Sequence, residues 1–193
     1  MNTRTSPPNT RELPSSYRMH ESVDLKENGK VAVLIQVISV LVAVAMMGLA
    51  VVQDLALASG WSSAVTVAVT LFSCVVYMAA HELTHGAFLW ALTGARPQFS
   101  VRLPYLTTGN EAYLNKRSFV VVALAPLLVW GVVFVLLLLL APQDLLLTTY
   151  VLLVLNLASS AGDVVQAIAA ARFPAAALIR DNGHDTTVYL AHT

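Results

Sequence analysis

Two histidines and a glutamate within five consecutive residues carry the clearest chemical signal in the sequence. His81, Glu82 and His85 follow the pattern His-Glu-x-x-His inside a long apolar run. On a helix the two histidines lie one turn apart on the same face, so both imidazoles can reach one metal ion. Glu82 lies about 100° around the helix from His81, where a carboxylate can accept a proton from a water molecule on the metal. The spacing therefore predicts a zinc site of the peptidase type.

The composition indicates a membrane protein. Of the 193 residues, 57% are hydrophobic and only 11% are charged, whereas a soluble domain has about a quarter charged residues. The length fits a single core-forming unit. Net charge is zero, and we expect no nucleic-acid partner. Cys74 is the only cysteine and lies about 10 Å along the helix from His81, too far to share a metal ion, so we interpret it as a small hydrophobe.

Four apolar stretches are long enough to cross a bilayer of about 30 Å. They cover residues 31–52, 62–92, 119–141 and 146–171. The predicted fold class is therefore all-α, a polytopic membrane bundle of four transmembrane helices over residues 31–171. Pro126 lies inside the third helix and is expected to kink it.

The segments outside the helices are more polar. Residues 1–30 lack the apolar core of a signal peptide and are expected to form a flexible cytoplasmic tail. Residues 172–193 form a second cytoplasmic tail, in which Asp181-Asn182-Gly183 predicts a turn between two short strands.

The connection between the second and third helices has a strand pattern. Residues 98–103 alternate between apolar and polar, residues 107–110 have the composition of a turn, and residues 112–118 could return as a second strand. This pattern predicts a small β-hairpin at the membrane surface.

The positions of the basic residues predict the orientation. Five Lys and Arg lie in the N-terminal tail, four in the connection between the second and third helices, and two in the C-terminal tail, which accounts for all eleven. The short connections at residues 53–61 and 142–144 have none. Because cytoplasmic loops carry an excess of Lys and Arg, we expect a multi-pass protein of the cell membrane with both termini in the cytoplasm.

A catalytic zinc ion needs a third protein ligand, and Asp163 is the best candidate. It is the only acidic residue besides Glu82 within a predicted span. At about 1.5 Å per residue from the cytoplasmic helix ends, Asp163 lies about 13 Å deep, His85 about 12 Å and His81 about 18 Å. The three side chains can therefore lie at one depth, whereas the acids of the two short connections emerge on the other side.

A polar stripe also marks the fourth helix. Asn156, Ser160 and Asp163 follow i, i+4, i+7 spacing and so share one face. That face should point into the bundle, because unpaired polar groups in lipid are costly. The stripe either serves the site or makes hydrogen bonds between helices, and for Asn156 and Ser160 the pattern leaves both open.

These motifs resemble those of the site-2-protease-like intramembrane zinc peptidases, and most closely those of small membrane proteins called “putative zincin peptidases”, which have about four spans. The resemblance covers residues 75–173 and is most specific at residues 81–86 and 156–163. It implies a zinc site with Glu82 as the general base and Asn156 as a contact for substrate or oxyanion. The zinc ligands that it implies are His81, His85 and Asp163.

The chain departs from the site-2 proteases around its third ligand. Those enzymes carry Gly after the Asp and Pro between the Asn and the Asp. Here Gly162 precedes Asp163, and residues 157–161 contain no proline.

The leading hypothesis is a membrane-embedded zinc metalloendopeptidase, whose partners are the lipid bilayer and a membrane-protein or peptide substrate. The alternatives are a non-catalytic scaffold or chaperone that keeps the metal site, an ion or proton carrier that uses the same residues, and bis-histidine haem binding. An intact Glu82 speaks against the scaffold and the haem, and short loops without inverted repeats speak against the carrier. The sequence gives no indication of substrate identity, pathway or oligomeric state. His184 and His192 are expected to be solvated.

Overall fold

The structure is a computed structural model that describes residues 6–23, 29–102, 105–183 and 185–192. Its helices are α1 (Gly29–Val52), α2 (Ser63–Thr93), α3 (Lys116–Leu140), α4 (Gln143–Ser159) and α5 (Ala161–Ala171). Its strands are β1 (Tyr17–Val23), β2 (Gln98–Arg102), β3 (Tyr105–Gly109), β4 (Leu114–Asn115), β5 (Leu178–Asp181) and β6 (Thr186–Ala191). The described chain is therefore mostly helical, with two small sheets.

Four helical segments are long and apolar enough to cross a membrane, with α4 and α5 together forming the fourth. They match the four predicted segments to within a few residues at each end.

Local hydrogen bonds and backbone conformation set several of these helix ends. Ser62 accepts a hydrogen bond from the N–H of Val65 before α2, and Asn115 accepts one from the N–H of Ser118 before α3. Gly94, at φ 63°, ends α2 in the left-handed conformation that glycine adopts without strain.

The fourth predicted helix is divided at Ser160. Residues around the break, Ser159, Ser160 and Gly162, all have low helix propensity. The hydroxyl of Ser39 on α1 donates to the carbonyl of Ala158 at 2.8 Å and so satisfies one acceptor that the end of α4 exposes. The prediction of one continuous helix is therefore wrong here, and the break places Asp163 in the first turn of α5.

The all-α class is incomplete, because the chain also forms a four-stranded sheet in the order β1-β6-β5-β4. β1 pairs antiparallel with β6, and β4 pairs antiparallel with β5. Residues 6–23 are therefore not the flexible tail that the composition predicts. Thr10 also bridges to Tyr113, and the Arg11 guanidinium donates to the carbonyls of Thr93 and Gly94 at the end of α2. The N-terminal segment, the α2–α3 connection and the C-terminal segment thus meet at one end of the helices.

The predicted hairpin in the α2–α3 connection is present with different strand bounds. β2 pairs antiparallel with β3, so that Gln98 lies opposite Gly109. Residues 107–109 therefore belong to a strand and not to a turn, and the next strand, β4, joins the larger sheet. The predicted turn at residues 181–183 does join two strands, β5 and β6, and its Gly183 has φ 85°.

The opposite end of the helices holds the two short connections. Asp144 at the start of α4 accepts a hydrogen bond from the N–H of Gly60 at 2.6 Å. Gln143 donates to the carbonyl of Ala58 at 3.2 Å. These contacts tie the α3–α4 turn to the α1–α2 loop, far from the sheet.

The main core lies where the larger sheet meets the helices. Its buried members come from α2, α3, α5 and the strands: Leu89, Leu114, Phe119, Val122, Ala170, Ala177, Ile179 and Val188. A second cluster lies between α2, α3 and α4, around Tyr77, Phe134 and Leu153. α1 has no buried residue and packs mainly against α4 and α5. The site is therefore held by α2, α3 and α5.

Gly109 is where the two hairpins touch most closely. A Cβ there would lie 2.2 Å from backbone atoms of both Asn182 and Gly183, a distance that no side-chain movement can relieve. We expect Gly109→Ala to lower the free energy of unfolding by about 3 kcal/mol or more, the upper range for overpacking. Thermal unfolding in detergent measures this change.

Gly48→Ala on α1 is the matched control, because nothing lies within 4 Å of a Cβ there. We expect this variant to melt at or slightly above the wild-type temperature, since alanine favours a helix more than glycine does. Equal melting temperatures for Gly109→Ala and wild type would show that the two hairpins do not pack as described.

Candidate metal centre

α2 presents both histidines of the motif on one face, as the helical spacing predicts. The ring centroids of His81 and His85 are 5.0 Å apart, with His81 buried and His85 half-buried. Gly86 follows directly, and a Cβ there would lie 2.6 Å from the ring of Phe99. The glycine thus allows β2 to pack against α2 beside the two histidines.

Asp163 faces both imidazoles from the first turn of α5. Its Oδ2 lies 3.3 Å from Nε2 of His81, and its Oδ1 lies 3.4 Å from Nε2 of His85. The structure therefore brings the three predicted ligands together, with donor atoms that all lie within 4.8 Å of one another. Across the described ranges, no other group of three or more His, Cys, Asp or Glu side chains is placed to hold a metal ion.

The donor set and its spacing fit zinc. Donor atoms at 2.0–2.1 Å from a tetrahedral zinc ion lie about 3.3 Å from one another, in agreement with the two His–Asp distances. Two imidazoles and one carboxylate are typical of catalytic zinc, which keeps a fourth position open, whereas structural zinc is usually closed by four ligands. Cys74 is half-buried and is not part of the group.

Glu82 is held by a residue that the sequence did not indicate. The hydroxyl of Thr108 on β3 donates to Oε2 of Glu82 at 2.8 Å, and it also lies 3.1 Å from the backbone carbonyl of the same residue. The β2–β3 hairpin thus orients the carboxylate from outside the helix. No local signal marks Thr108, because this contact joins residues 26 positions apart.

The ligands and Glu82 open into one cavity of about 530 Å³. Its walls come from α1, α2, α3, α5, β3 and the C-terminal hairpin, and its polar lining includes Gln36, Thr108 and Gln166. A cavity of this size holds several residues of a peptide. The four predicted residues His81, Glu82, His85 and Asp163 therefore face one shared space that can admit a substrate.

Asn156 has a different place from the predicted one. Its side chain is fully buried and does not line the cavity. Its Oδ1 accepts from the hydroxyl of Tyr77 at 2.8 Å, and its Nδ2 donates to the carbonyl of Leu127 at 3.1 Å. Both polar atoms thus have protein partners, and the predicted contact of Asn156 with substrate or oxyanion stays a prediction. Asn156 instead lies behind His81, whose Nδ1 is 3.0 Å from the Tyr77 hydroxyl.

Ser160 and His192, which the sequence also marked, are not among the three candidate metal ligands. Ser160 is fully buried, and its hydroxyl makes no hydrogen bond to the described part of the chain. His192 lies at the end of β6, where its N–H donates to the carbonyl of Ser16 at 2.7 Å. His184 lies outside the described residues. Tyr77 was missed, although its position four residues before His81 places it on the same helix face.

A comparison with protein-family models gives a match. A protein-family model with the description “putative zincin peptidase” matches residues 74–178, which is more than half of the chain. The match includes all three candidate ligands and Glu82. Neither the curated proteins nor the solved structures gave a match.

Proposed function

The chain belongs to the family described as “putative zincin peptidase”, and from that premise we propose that it is a membrane-embedded zinc endopeptidase. Membership suggests zinc as the cofactor and peptide hydrolysis as the reaction. One observation carries the proposal. The carboxylate of Asp163 lies 3.3 Å from Nε2 of His81 and 3.4 Å from Nε2 of His85, in a cavity that Glu82 also lines. A ligand trio and a carboxylate base in one space are what hydrolysis of a peptide bond requires.

In this proposal, the chain divides the chemistry between two sets of residues. His81, His85 and Asp163 hold zinc, which supplies a Lewis acid that polarises a peptide carbonyl and acidifies water. Glu82 accepts the proton of the attacking water and delivers it to the leaving amine, as a general base and then a general acid. Thr108 keeps the Glu82 carboxylate in place through its hydrogen bond.

The surface of the helices supports insertion in a membrane. Large apolar side chains are widely exposed, as at Val51 (80%), Leu140 (79%) and Phe72 (71%), and burial of such surface in lipid is favourable. The three basic segments of the sequence meet at the sheet end, so this end is the cytoplasmic one in our proposal. The metal centre then opens towards the cytoplasmic half of the bilayer.

The β2–β3 hairpin suggests how a substrate is held. It folds back along α2, because Phe99 contacts the Gly86 position and Thr108 contacts Glu82. Glu82 lies twelve residues before the helix end at Gly94, which is about 18 Å. Extended backbone at this depth needs hydrogen-bond partners from protein or water, and a two-stranded sheet retains free edges. We propose that an extended, locally unfolded substrate segment adds to such an edge.

Metal removal tests the proposed function. Purified full-length protein in detergent should hydrolyse a mixture of unstructured fluorescence-quenched peptides, and 1,10-phenanthroline should reduce the rate at least about 100-fold, since the metal supplies several kcal/mol of transition-state stabilisation. Dialysis followed by zinc should restore the rate. Hydrolysis that the chelator leaves unchanged would contradict the proposal, and zinc binding without any hydrolysis would favour a scaffold.

A further inference from the structure

The second ring nitrogen of His85 reaches a carbonyl that a proline has set free. His85 Nδ1 lies 3.0 Å from the backbone oxygen of Val122 on α3. In an uninterrupted helix this oxygen would accept from the N–H four residues later, but that residue is Pro126, which has no N–H. A carbonyl oxygen can only accept, so the hydrogen bond to Val122 requires a proton on Nδ1 of His85. With a metal ion between His85 and Asp163, Nε2 is the nitrogen left to bind it.

The second ring nitrogen of His81 is linked to α3 through the side chains of Tyr77 and Asn156. The direction of each hydrogen bond in this chain follows from its end, the backbone carbonyl of Leu127. The carbonyl of Leu127 only accepts, so the amide nitrogen of Asn156 must face it. Oδ1 of Asn156 therefore faces Tyr77 and accepts its hydroxyl proton. The Tyr77 oxygen, with its only proton used, accepts from Nδ1 of His81 at 3.0 Å. Nε2 of His81 is then the nitrogen left for the metal ion as well.

We infer that Tyr77, Asn156 and Pro126 are positioning residues that fix both histidines in the Nδ1–H tautomer and thereby set the affinity of the site for zinc. The inference rests on the proposed function in taking zinc as the metal. Both hydrogen-bond paths end on carbonyls of α3, one on each side of Pro126. This helix supplies no ligand, yet it determines which nitrogen of each ligand is available.

Because these residues are buried, we expect their effect on zinc affinity to be large. The exposed fraction is 3% for Tyr77, 0% for Asn156 and 7% for His81, so water cannot replace a missing partner at low cost. Partners of this kind typically change metal affinity by about 10–100-fold when they are removed. A ring that has lost its partner can also rotate or change tautomer, and both changes withdraw Nε2 from the metal.

The tautomers can be observed directly. Protein labelled with ¹⁵N at histidine and loaded with zinc in detergent is examined by two-dimensional ¹H–¹⁵N NMR of the imidazoles. His81→Ala and His85→Ala spectra assign the signals. We expect both rings to show a protonated Nδ1 and an unprotonated Nε2. Protonation of Nε2 in either ring of the zinc-loaded protein would overturn the inference, whether or not the protein hydrolyses peptides.

Tyr77→Phe tests the consequence for zinc. The ring that packs against Trp130 and Phe134 is retained, and only the hydroxyl is lost. Competition with a zinc-binding dye should show an affinity about 10–100-fold below wild type, with the NMR signals of His81 changed. The matched control is Tyr150→Phe, which removes another buried hydroxyl that donates to the Met46 carbonyl and should keep wild-type affinity.

Pro126→Ala tests the hydrogen bond between His85 and the Val122 carbonyl. It restores an N–H that can donate to the Val122 carbonyl and so compete with His85 Nδ1–H. We expect a loss of zinc affinity of about 10-fold in a helix that is otherwise better formed. Wild-type affinity in both Tyr77→Phe and Pro126→Ala would overturn the inference and leave the proposed function intact, whereas a wild type that binds no zinc would refute both.

Discussion

Replacing Glu82 with Gln is expected to lower the rate of peptide hydrolysis by about 10²–10⁴-fold while the protein still binds zinc. This is the range that a positioned general acid–base contributes. The amide has nearly the shape of the carboxylate and can still accept the hydrogen bond of Thr108, so the hairpin should stay in place. It cannot accept a proton from water, and this is the only function that the substitution removes. Initial rates of peptide hydrolysis and zinc per chain, measured on the same preparation, check the prediction.

Glu111→Gln is the control for the same chemical change. Glu111 forms an ion pair with Arg180 at 3.2 Å, its side chain is 62% exposed, and it does not line the cavity. We expect its rate to stay within about twofold of wild type, since exposed ion pairs contribute little. If Glu82→Gln and Glu111→Gln hydrolysed peptides equally well, Glu82 would not be the base.

The helices were predictable because their signal is local. Each apolar stretch exceeds the length needed to span a bilayer, and the caps Ser62, Gly94 and Asn115 act on residues a few positions away. The break at Ser160 was missed because low helix propensity is a weak signal within an apolar run. Only the packing of α1 against α4 shows how the carbonyls there are satisfied.

The larger sheet could not be predicted from composition. β1 pairs with β6, near the other end of the chain, and Tyr17 lies opposite Ala191. Both strands are short, and β1 contains the charged residues Arg18 and Glu21. The apolar surface that they bury therefore appears only when the strands meet. Polar composition predicts a disordered tail, and in residues 6–23 long-range pairing overrides that local preference.

The same difference between local signals and long-range contacts applies to the candidate site. His81, His85 and Asp163 follow from helical spacing and from depth in a membrane span, which are both readable along the chain. The partners that orient them depend on contacts between elements. The role of Asn156 as a substrate contact came from the resemblance alone. Its observed partners, Tyr77 and the Leu127 carbonyl, lie on other helices and leave no local signal in the sequence.

Replacing Asp163 with Asn is expected to weaken zinc binding by more than about 100-fold, and hydrolysis should be lost with it. The amide keeps the volume of the side chain, but it removes the negative charge between two imidazoles and leaves a poor zinc ligand. The effect should exceed that of losing an outer hydrogen-bond partner, which is about 10–100-fold. Zinc per chain after gel filtration in detergent, together with a dye competition assay, measures the change.

The comparison with other variants decides what the third ligand is. Asp54→Asn makes the same change in an exposed loop, at a position with φ 46° that Asn tolerates, and it should bind zinc as wild type does. His81→Ala should lose zinc as Asp163→Asn does, because three ligands held on two helices must all be present for tight binding. Zinc retained in Asp163→Asn but lost in His81→Ala would keep the metal site on α2 and show that α5 does not complete it. Zinc lost in both would show that Asp163, in the first turn of α5, completes the metal site of α2.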